Sequence, residues 1–487
     1  MHFDPAIAVI AAYLIFINLI GLACTRASTI NEYFLGGRNL PWPVACFSIV
    51  ATETSSLTFI SIPGLAYISN LGFLQVALGY VIGRVLVATV LLPRYFSGNL
   101  ETAYEFIQNR FGLLARRVIA VIFHVTRLLA DAIRLFATAI PLSILMGFEG
   151  YWQAIIIIGL ATFLYTLYGG IRSVAVVDTI QLVIYIVSAA AGIMVIADTL
   201  GLTVSSLVAR IPSSGMTIFS TGFENGWRGI FGSYNVFSGL IGGAMLSFAS
   251  HGTDHLIVQR ALSCRDLPSA RKAMIGSGVL VFFQFALFMV LGLCIHLLLQ
   301  GKRFDLPDTI MPFFIINHVP AIFRGLMLAG IFAAAMSTIS SSINSISSST
   351  ALDILMLSRR DLPEKRKVLV SRLISLAWTF VLMGLAMAVR NTTSSLVELG
   401  LSIASITYGG MLGIFVQGAL FRRIGDRAAL SGVVVSIAAV FAISVVTPLF
   451  WPWYVPIGFV IAFGTGTAVH LLLERNKGGV NPGRGPR

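Results

Sequence analysis

Thr52-Glu53-Thr54-Ser55-Ser56-Leu57-Thr58, with Pro63-Gly64 after it, is the stretch that decides the fold. It sits inside a segment, 41–67, that is otherwise apolar. A helix in hydrocarbon satisfies its own backbone, so polar side chains and breakers inside it mark an interruption that surrounding protein must complete. A second segment, 229–256, repeats the combination with Gly239, Gly242 and Gly243 and the patch Ser250-His251-Gly252-Thr253-Asp254-His255. Four apolar segments lie between the two, so a five-helix unit starts at each. An odd number of helices inverts the second unit relative to the first. Paired interruptions at matching positions point to a transporter binding site near the bilayer midplane. Gly and Pro are common in membrane helices anyway, but polarity and breakers coincide here twice.

Composition agrees. The chain has 487 residues, 57% hydrophobic and 11% charged, with mean hydropathy +0.89. Soluble domains carry about 25% charged residues, so this is read as an all-α polytopic membrane protein. Spans need about 20 apolar residues. Thirteen segments qualify: 5–25, 41–67, 71–93, 115–147, 151–168, 174–199, 229–256, 271–300, 320–353, 366–389, 395–421, 428–449 and 454–473. The first lacks a basic leader region and reads as a span, not a signal peptide. Residues 1–473 form one membrane domain: an extra helix at 5–25, repeats at 41–199 and 229–421, and two final helices at 428–473. The tail, 474–487, reads as disordered and cytoplasmic.

The net charge of +13 is topological. With the N-terminus outside, 24 of the 33 Lys and Arg fall on the cytoplasmic side, among them Arg94, Arg110, Arg116, Arg260, Arg422 and Arg423. Six fall outside, including Arg390. That is the positive-inside pattern, with the C-terminus in the cytoplasm and the chain in the cell's inner (plasma) membrane. Nucleic acid is not implied. The four cysteines lie far apart and suggest neither disulfides nor a metal centre. No P-loop, GxSxG or HExxH occurs, so neither ATP-driven transport nor an enzyme is indicated, and no catalytic residue is assigned.

The second informative stretch is Ser337 to Thr350, in which eight Ser and two Thr follow an apolar run. Helical spacing groups Ser337, Ser340 and Ser341, with Thr338 beside them and the Ala334 carbonyl one turn earlier. Hydroxyls are hard oxygen ligands without fixed charge, suited to holding Na+ and releasing it. A single Ser more often bonds its own preceding turn; so many together line a cavity or pack closely. Asp178 reads either as an ion-site carboxylate or as a partner of Arg172. Glu53 reads as a site acid or as an acceptor for broken backbone. Asp131 lies within helical reach of both Arg127 and Arg134, which leaves one positive charge over, and Arg is well suited to hold a carboxylate. His251 and His255 share a face but lack a third ligand, so they read as polar lining.

Five stretches, in order over about residues 30–420, resemble the sodium:solute symporter family. They are Tyr33 to Arg38, the run through Pro63-Gly64, Gly169 to Gln181, Thr253 to Arg260, and Ala333 to Ser345. The resemblance implies the 5+5 inverted-repeat fold also seen in LeuT, here with thirteen spans and core helices one and six broken. It carries a main Na+ site onto Ala51, Thr54, Ala334, Ser337 and Thr338, and a second onto Asp178, Ser337, Ser340 and Ser341. One or two Na+ are the coupling ions, with no other metal. Glu53 matches an Asp of proline transporters. Glu53 and Thr58 replace the Asn and Gln of sugar-transporting members, which argues against a simple hexose. Ser55 and Thr58 match hydroxyls that hold the carboxylate in sialic acid members, where Arg134, or else Arg127, would be the arginine; Asp254 completes the substrate set. The expectation is a Na+ symporter for a carboxylate-bearing solute, sialic acid-like or a monocarboxylate, working as a monomer among membrane lipid. Proton coupling through Asp178 or Glu53, a sugar or amino-acid symporter, and a sensor reusing the fold are the alternatives.

Overall fold

The structure, a computed structural model, describes residues 4–24, 27–223, 226–389, 396–421 and 424–478. Arg390, Arg422, Arg423 and the tail from 479 lie outside the described residues. All regular elements among the described residues are helical, apart from one isolated bridge between Leu40 and Cys264. In chain order the long ones are α1 (Pro5–Ala23), α2 (Trp42–Glu53), α3 (Ser56–Ile68), α4 (Leu74–Leu86), α5 (Ala103–Met146), α6 (Trp152–Thr199), α7 (Gly243–Gly252), α8 (His255–Leu262), α9 (Leu267–Leu298), α10 (Ala321–Ser349), α11 (Glu364–Ala388), α12 (Leu396–Leu420), α13 (Asp426–Val446) and α14 (Tyr454–Gly478). The last runs past the expected domain end at 473.

Among the described residues, each of the thirteen expected segments contains helix. By length and apolarity alone, nine described helices qualify as spans, or ten if the bent pair α2/α3 counts as one. Those that fall short do so for informative reasons. Residues 115–147 of α5 carry Arg116, Arg117, Arg127, Asp131 and Arg134. The segment 229–256 is divided into α7 and α8. The helix at 152–167 is simply short, and it runs into the rest of α6 across Gly170, whose φ of +57° is open to glycine at little cost. A Cβ there would lie 2.2 Å from the Tyr33 carbonyl oxygen.

Polar residues make the two breaks; the expected breakers do not. Helix α2 closes with the Thr54 N–H donating to the Val50 carbonyl, and the chain bends 65° into α3. Ser55 and Thr58 form a reciprocal capping box that starts α3. Pro63 and Gly64, in contrast, lie within α3; a Cβ on Gly64 would meet the Pro307 carbonyl at 2.2 Å. In the second repeat the break falls at Thr253–Asp254, where the Asp254 carboxylate accepts from the Leu256 N–H at 2.9 Å. Gly239 and Gly242 lie in a π-turn, Ser238–Gly242, that leads into α7. With Gly243 they serve close packing: a Cβ on Gly243 would lie 2.5 Å from the Val76 carbonyl of α4. Small residues at such crossings let backbones approach where lipid supplies no hydrophobic drive.

The α4–α7 crossing therefore depends on glycine from both sides. A Cβ at Gly79 would lie 2.4 Å from the Gly239 carbonyl oxygen and 2.9 Å from the Gly243 Cα, backbone atoms that have nowhere to move. Gly79→Ala is expected to destabilise by about 1–3 kcal/mol, read as a lower melting temperature in detergent. Gly384→Ala, in α11 with nothing within 4 Å of the added Cβ, is the control and should hold or slightly raise it through helix propensity.

Candidate functional site

The break after α2 strands carbonyls. The last four C=O groups of a helix have no donor in the ladder, and for α2 these include Ala51, Thr52 and Glu53. The Ser55 N–H turns away to Thr58 Oγ1 at 3.4 Å. From across the gap, α10 brings the Thr338 hydroxyl within 3.2 Å of the Thr52 carbonyl, 3.4 Å of the Thr54 carbonyl and 3.1 Å of the Ala334 carbonyl. Thr54, Ala334 and Thr338 of the expected main ion site thus converge on one point, with the Ala51 carbonyl at the same helix end. The Thr54 side chain is held elsewhere, paired with Gln284 at 2.9 Å, and Tyr185 donates to the same Gln284 oxygen at 3.3 Å. All these oxygens are neutral and buried. The negative end of the α2 dipole points at them, an arrangement whose field favours a cation.

The Asp178 carboxylate lies alongside, fully buried on α6. Ser337 donates to one oxygen at 2.7 Å. Ser48 donates to the other at 2.6 Å, with Thr52 and Ser341 each at 3.4 Å. Three members of the expected second site therefore meet. Ser340 is turned back onto its own helix, donating to the Ser337 carbonyl at 3.0 Å. Asp178 pairs with Arg260 at 3.1 Å, not with Arg172. Arg260, expected in a cytoplasmic connection, has a side chain that is 0% exposed. Arg116, expected there too, is buried against Asp353 at 2.7 Å.

Beside the break, Glu53, Ser55, Thr58 and Arg134 line a small cavity together with Phe73, Tyr80 and Phe285. The positive end of α3 opens into it. Arg134 is tied to Asp131 at 2.5 Å, while its Nε has no partner among the described residues. Asp254 does not join this group. It lines a second cavity, with Arg127 at 3.1 Å and Tyr408 Oη at 2.6 Å. Glu53, Tyr80, Arg134 and Leu401 border both cavities. Of the two candidate arginines, Arg134 shares a cavity with Ser55 and Thr58, and Arg127 pairs with Asp254. His251 lies 3.6 Å from Glu53, and His255 contacts Ser348 at 3.1 Å, which places them apart as lining groups.

Sequence reading missed Ser48, Gln284, Tyr408 and Arg260. Ser48 and Gln284 carried a usable signal, being isolated polar residues in apolar spans. Arg260 stood in the quoted Thr253–Arg260 stretch but looked like one more cytoplasmic arginine.

Comparison with known proteins follows the same lines. The family model "Sodium:solute symporter family" matches residues 33–436. The chain is 28% identical to the sodium/sialic acid symporter SiaT of Proteus mirabilis, covering 95% of this chain and 94% of that protein. It is 24% identical to the human sodium-coupled monocarboxylate transporter 2, over 86% and 68%. A solved structure of a Na+-coupled sialic acid symporter, substrate-bound and outward-open, superposes with a TM-score of 0.85 at 27% identity, covering 96% of this chain and 98% of that one. A nucleobase-cation-symport-1 transporter shares the fold at a TM-score of 0.57 and 14% identity.

One ion pair in the cavity floor supports a direct stability test. Glu53 pairs with Arg84, whose side chain is 0% exposed and which also donates to Ser277 at 2.8 Å. Glu53→Gln strands that guanidinium and should cost about 3 kcal/mol or more, seen as a marked fall in melting temperature. Glu53→Gln with Arg84→Met should recover much of the loss, because no buried charge is then left alone. Equal stability of wild type and the single variant would contradict the burial of this pair.

Proposed function

Because the chain belongs to the sodium:solute symporter family, a Na+-coupled symporter of a small organic solute, we propose that its solute carries a carboxylate and is sialic acid-like. The observation that carries this reading is that Arg134 lines the same cavity as Ser55 and Thr58. The broken helix adds to it. Its two halves present opposite dipole ends, carbonyls of α2 toward a cation and the start of α3 toward an anion. Sialic acid symporters among the relatives support the same choice.

In this reading Na+ is held by Ala51, Thr54, Ala334, Ser337 and Thr338, and the solute by Arg134, Ser55 and Thr58, with Glu53 and Tyr80 shaping the wall. Asp254 serves the second cavity, on the cytoplasmic side. Na+ fixes the carbonyls of α2 against α10, which holds the first cavity in shape for solute. Movement of the repeats then exposes both to the cytoplasm. The membrane potential contributes ~2.3 kcal/mol per charge per 100 mV. The protein crosses the inner (plasma) membrane thirteen times, N-terminus outside and C-terminus inside, as a monomer in contact with lipid. Residues 41–199 and 229–421 are the two repeats, followed by two further helices and a cytoplasmic tail.

Proteoliposomes test this. An inward Na+ gradient should drive uptake of N-acetylneuraminic acid, and a neutral hexose should not compete. Arg134→Ala should abolish uptake while Na+ still raises the melting temperature. Thr338→Ala should raise the Na+ concentration needed for half-maximal uptake at least tenfold. Uptake that follows a proton gradient without Na+, or that favours an uncharged solute, would sink the proposal.

A further inference from the structure

The Asp178 site already contains a cation, and it belongs to the chain. Arg260 projects from α8, the second half of the second broken helix, and is fully buried. Its Nη2 bonds both Asp178 Oδ2, at 3.1 Å, and Ser341 Oγ. Its Nε donates to Ser48 Oγ at 2.7 Å, and Ser48 in turn donates to the same carboxylate oxygen. Its Nη1 is anchored to the Leu256 carbonyl of its own helix at 2.6 Å. The guanidinium thus occupies the oxygens, Asp178 and Ser341, that a second Na+ would need.

Charge makes the two occupants exclusive. Asp178 with one positive partner is neutral. With both Arg260 and Na+ the cluster carries one net charge in a buried, water-poor interior, where the effective penalty is several kcal/mol per ion. Without either, the carboxylate is left bare among the hydroxyls of Ser48, Thr52, Ser337 and Ser341, at a similar penalty.

We propose that Arg260 and Na+ are alternative occupants of the Asp178 site, so that a second coupling ion binds only when α8 withdraws its guanidinium. The main site has no comparable competitor: its ligands are neutral oxygens of α2 and α10, none of them bonded by Arg260, and it shares only Ser337 with the Asp178 cluster. Arg260 is then a positioning residue that ties second-ion binding to the place of α8 and sets whether one ion or two are bound in a given state. This inference rests on the Na+ symporter reading and refines its ion count.

The experiment is a Na+ titration of the purified full-length protein, with choline replacing Na+ at constant ionic strength, read by thermal shift and by bound radioactive sodium. The variants are Arg260→Gln, Arg260→Lys, Asp178→Asn and the double Asp178→Asn/Arg260→Gln, all purified in Na+. Arg260→Gln should bind one more Na+ than wild type, with a steeper titration and an apparent affinity for the added ion at least tenfold tighter than wild type shows at that site. Its melting temperature should drop sharply without Na+ and recover with it. Arg260→Lys should keep the wild-type ion count, and the double variant should lose the extra ion.

An Arg260→Gln protein that binds Na+ as wild type does, or more weakly, would overturn the proposal and make Arg260 a structural strut. So would failure of Arg260→Gln to fold even in Na+, since Na+ is meant to replace the guanidinium. An extra ion in Arg260→Lys would show that charge is not what excludes it. A wild-type protein with no Na+ response at all would instead remove the underlying symporter reading.

Discussion

The structure depends on one constraint: backbone carbonyls released by a broken helix cannot be left bare in a water-poor interior. An unpaired buried polar group costs about 1–3 kcal/mol, and the end of α2 releases several at once. The Thr338 hydroxyl contacts three carbonyls, of Thr52, Thr54 and Ala334, yet it is itself a donor of a single proton. Most of that carbonyl oxygen therefore remains available, and a small hard cation completes it better than any side chain in reach. In the proposed function, binding the ion and closing the broken helix are the same event. That links the ion to the geometry of α3, and through α3 to the cavity that holds Ser55 and Thr58.

The buried charges follow a related rule. Glu53 with Arg84, Asp131 with Arg134, Arg127 with Asp254, Asp178 with Arg260 and Arg116 with Asp353 are all pairs within the protein interior. Such pairs contribute little net stability, because desolvation offsets most of their attraction. Their value lies in discrimination: a misplaced helix leaves a lone charge, which is far costlier. Several pairs join separate elements, α2 to α4, α5 to α8's N-cap and α6 to α8. Each is a contact that a rearrangement of the repeats must break or carry along intact.

Particular residues show how much was legible beforehand. The hydroxyls at 337, 338 and 341 announced themselves because polar side chains in an apolar helix need a reason. The breaks were also legible, but their cause was misread. Pro63 and Gly64 looked like breakers and prove to lie in an unbroken helix, where Gly64 makes room for the Pro307 backbone. Gly239, Gly242 and Gly243 serve packing in the same way. A glycine allows a turn and a close approach equally well, and the sequence does not say which. Ser340 has the right spacing for the ion cluster, yet its hydroxyl is spent on the preceding turn, since rotamer choice at one position is invisible to periodicity.

Sequence alone determined the membrane class, the helical segments, the inverted pair of interrupted helices and the family to which the chain belongs. These follow from local composition and order, because lipid enforces hydrophobicity and backbone satisfaction segment by segment. Only the tertiary structure decided partnership. Asp178 pairs with Arg260 and not with Arg172, which is nearer in sequence, Arg134 shares a cavity with Ser55 and Thr58 while Arg127 pairs with Asp254, and Asp254 lines the second cavity. An ion pair is a property of distance in space. Residues 82 positions apart, as Asp178 and Arg260 are, become neighbours through the packing of helices that no local pattern encodes.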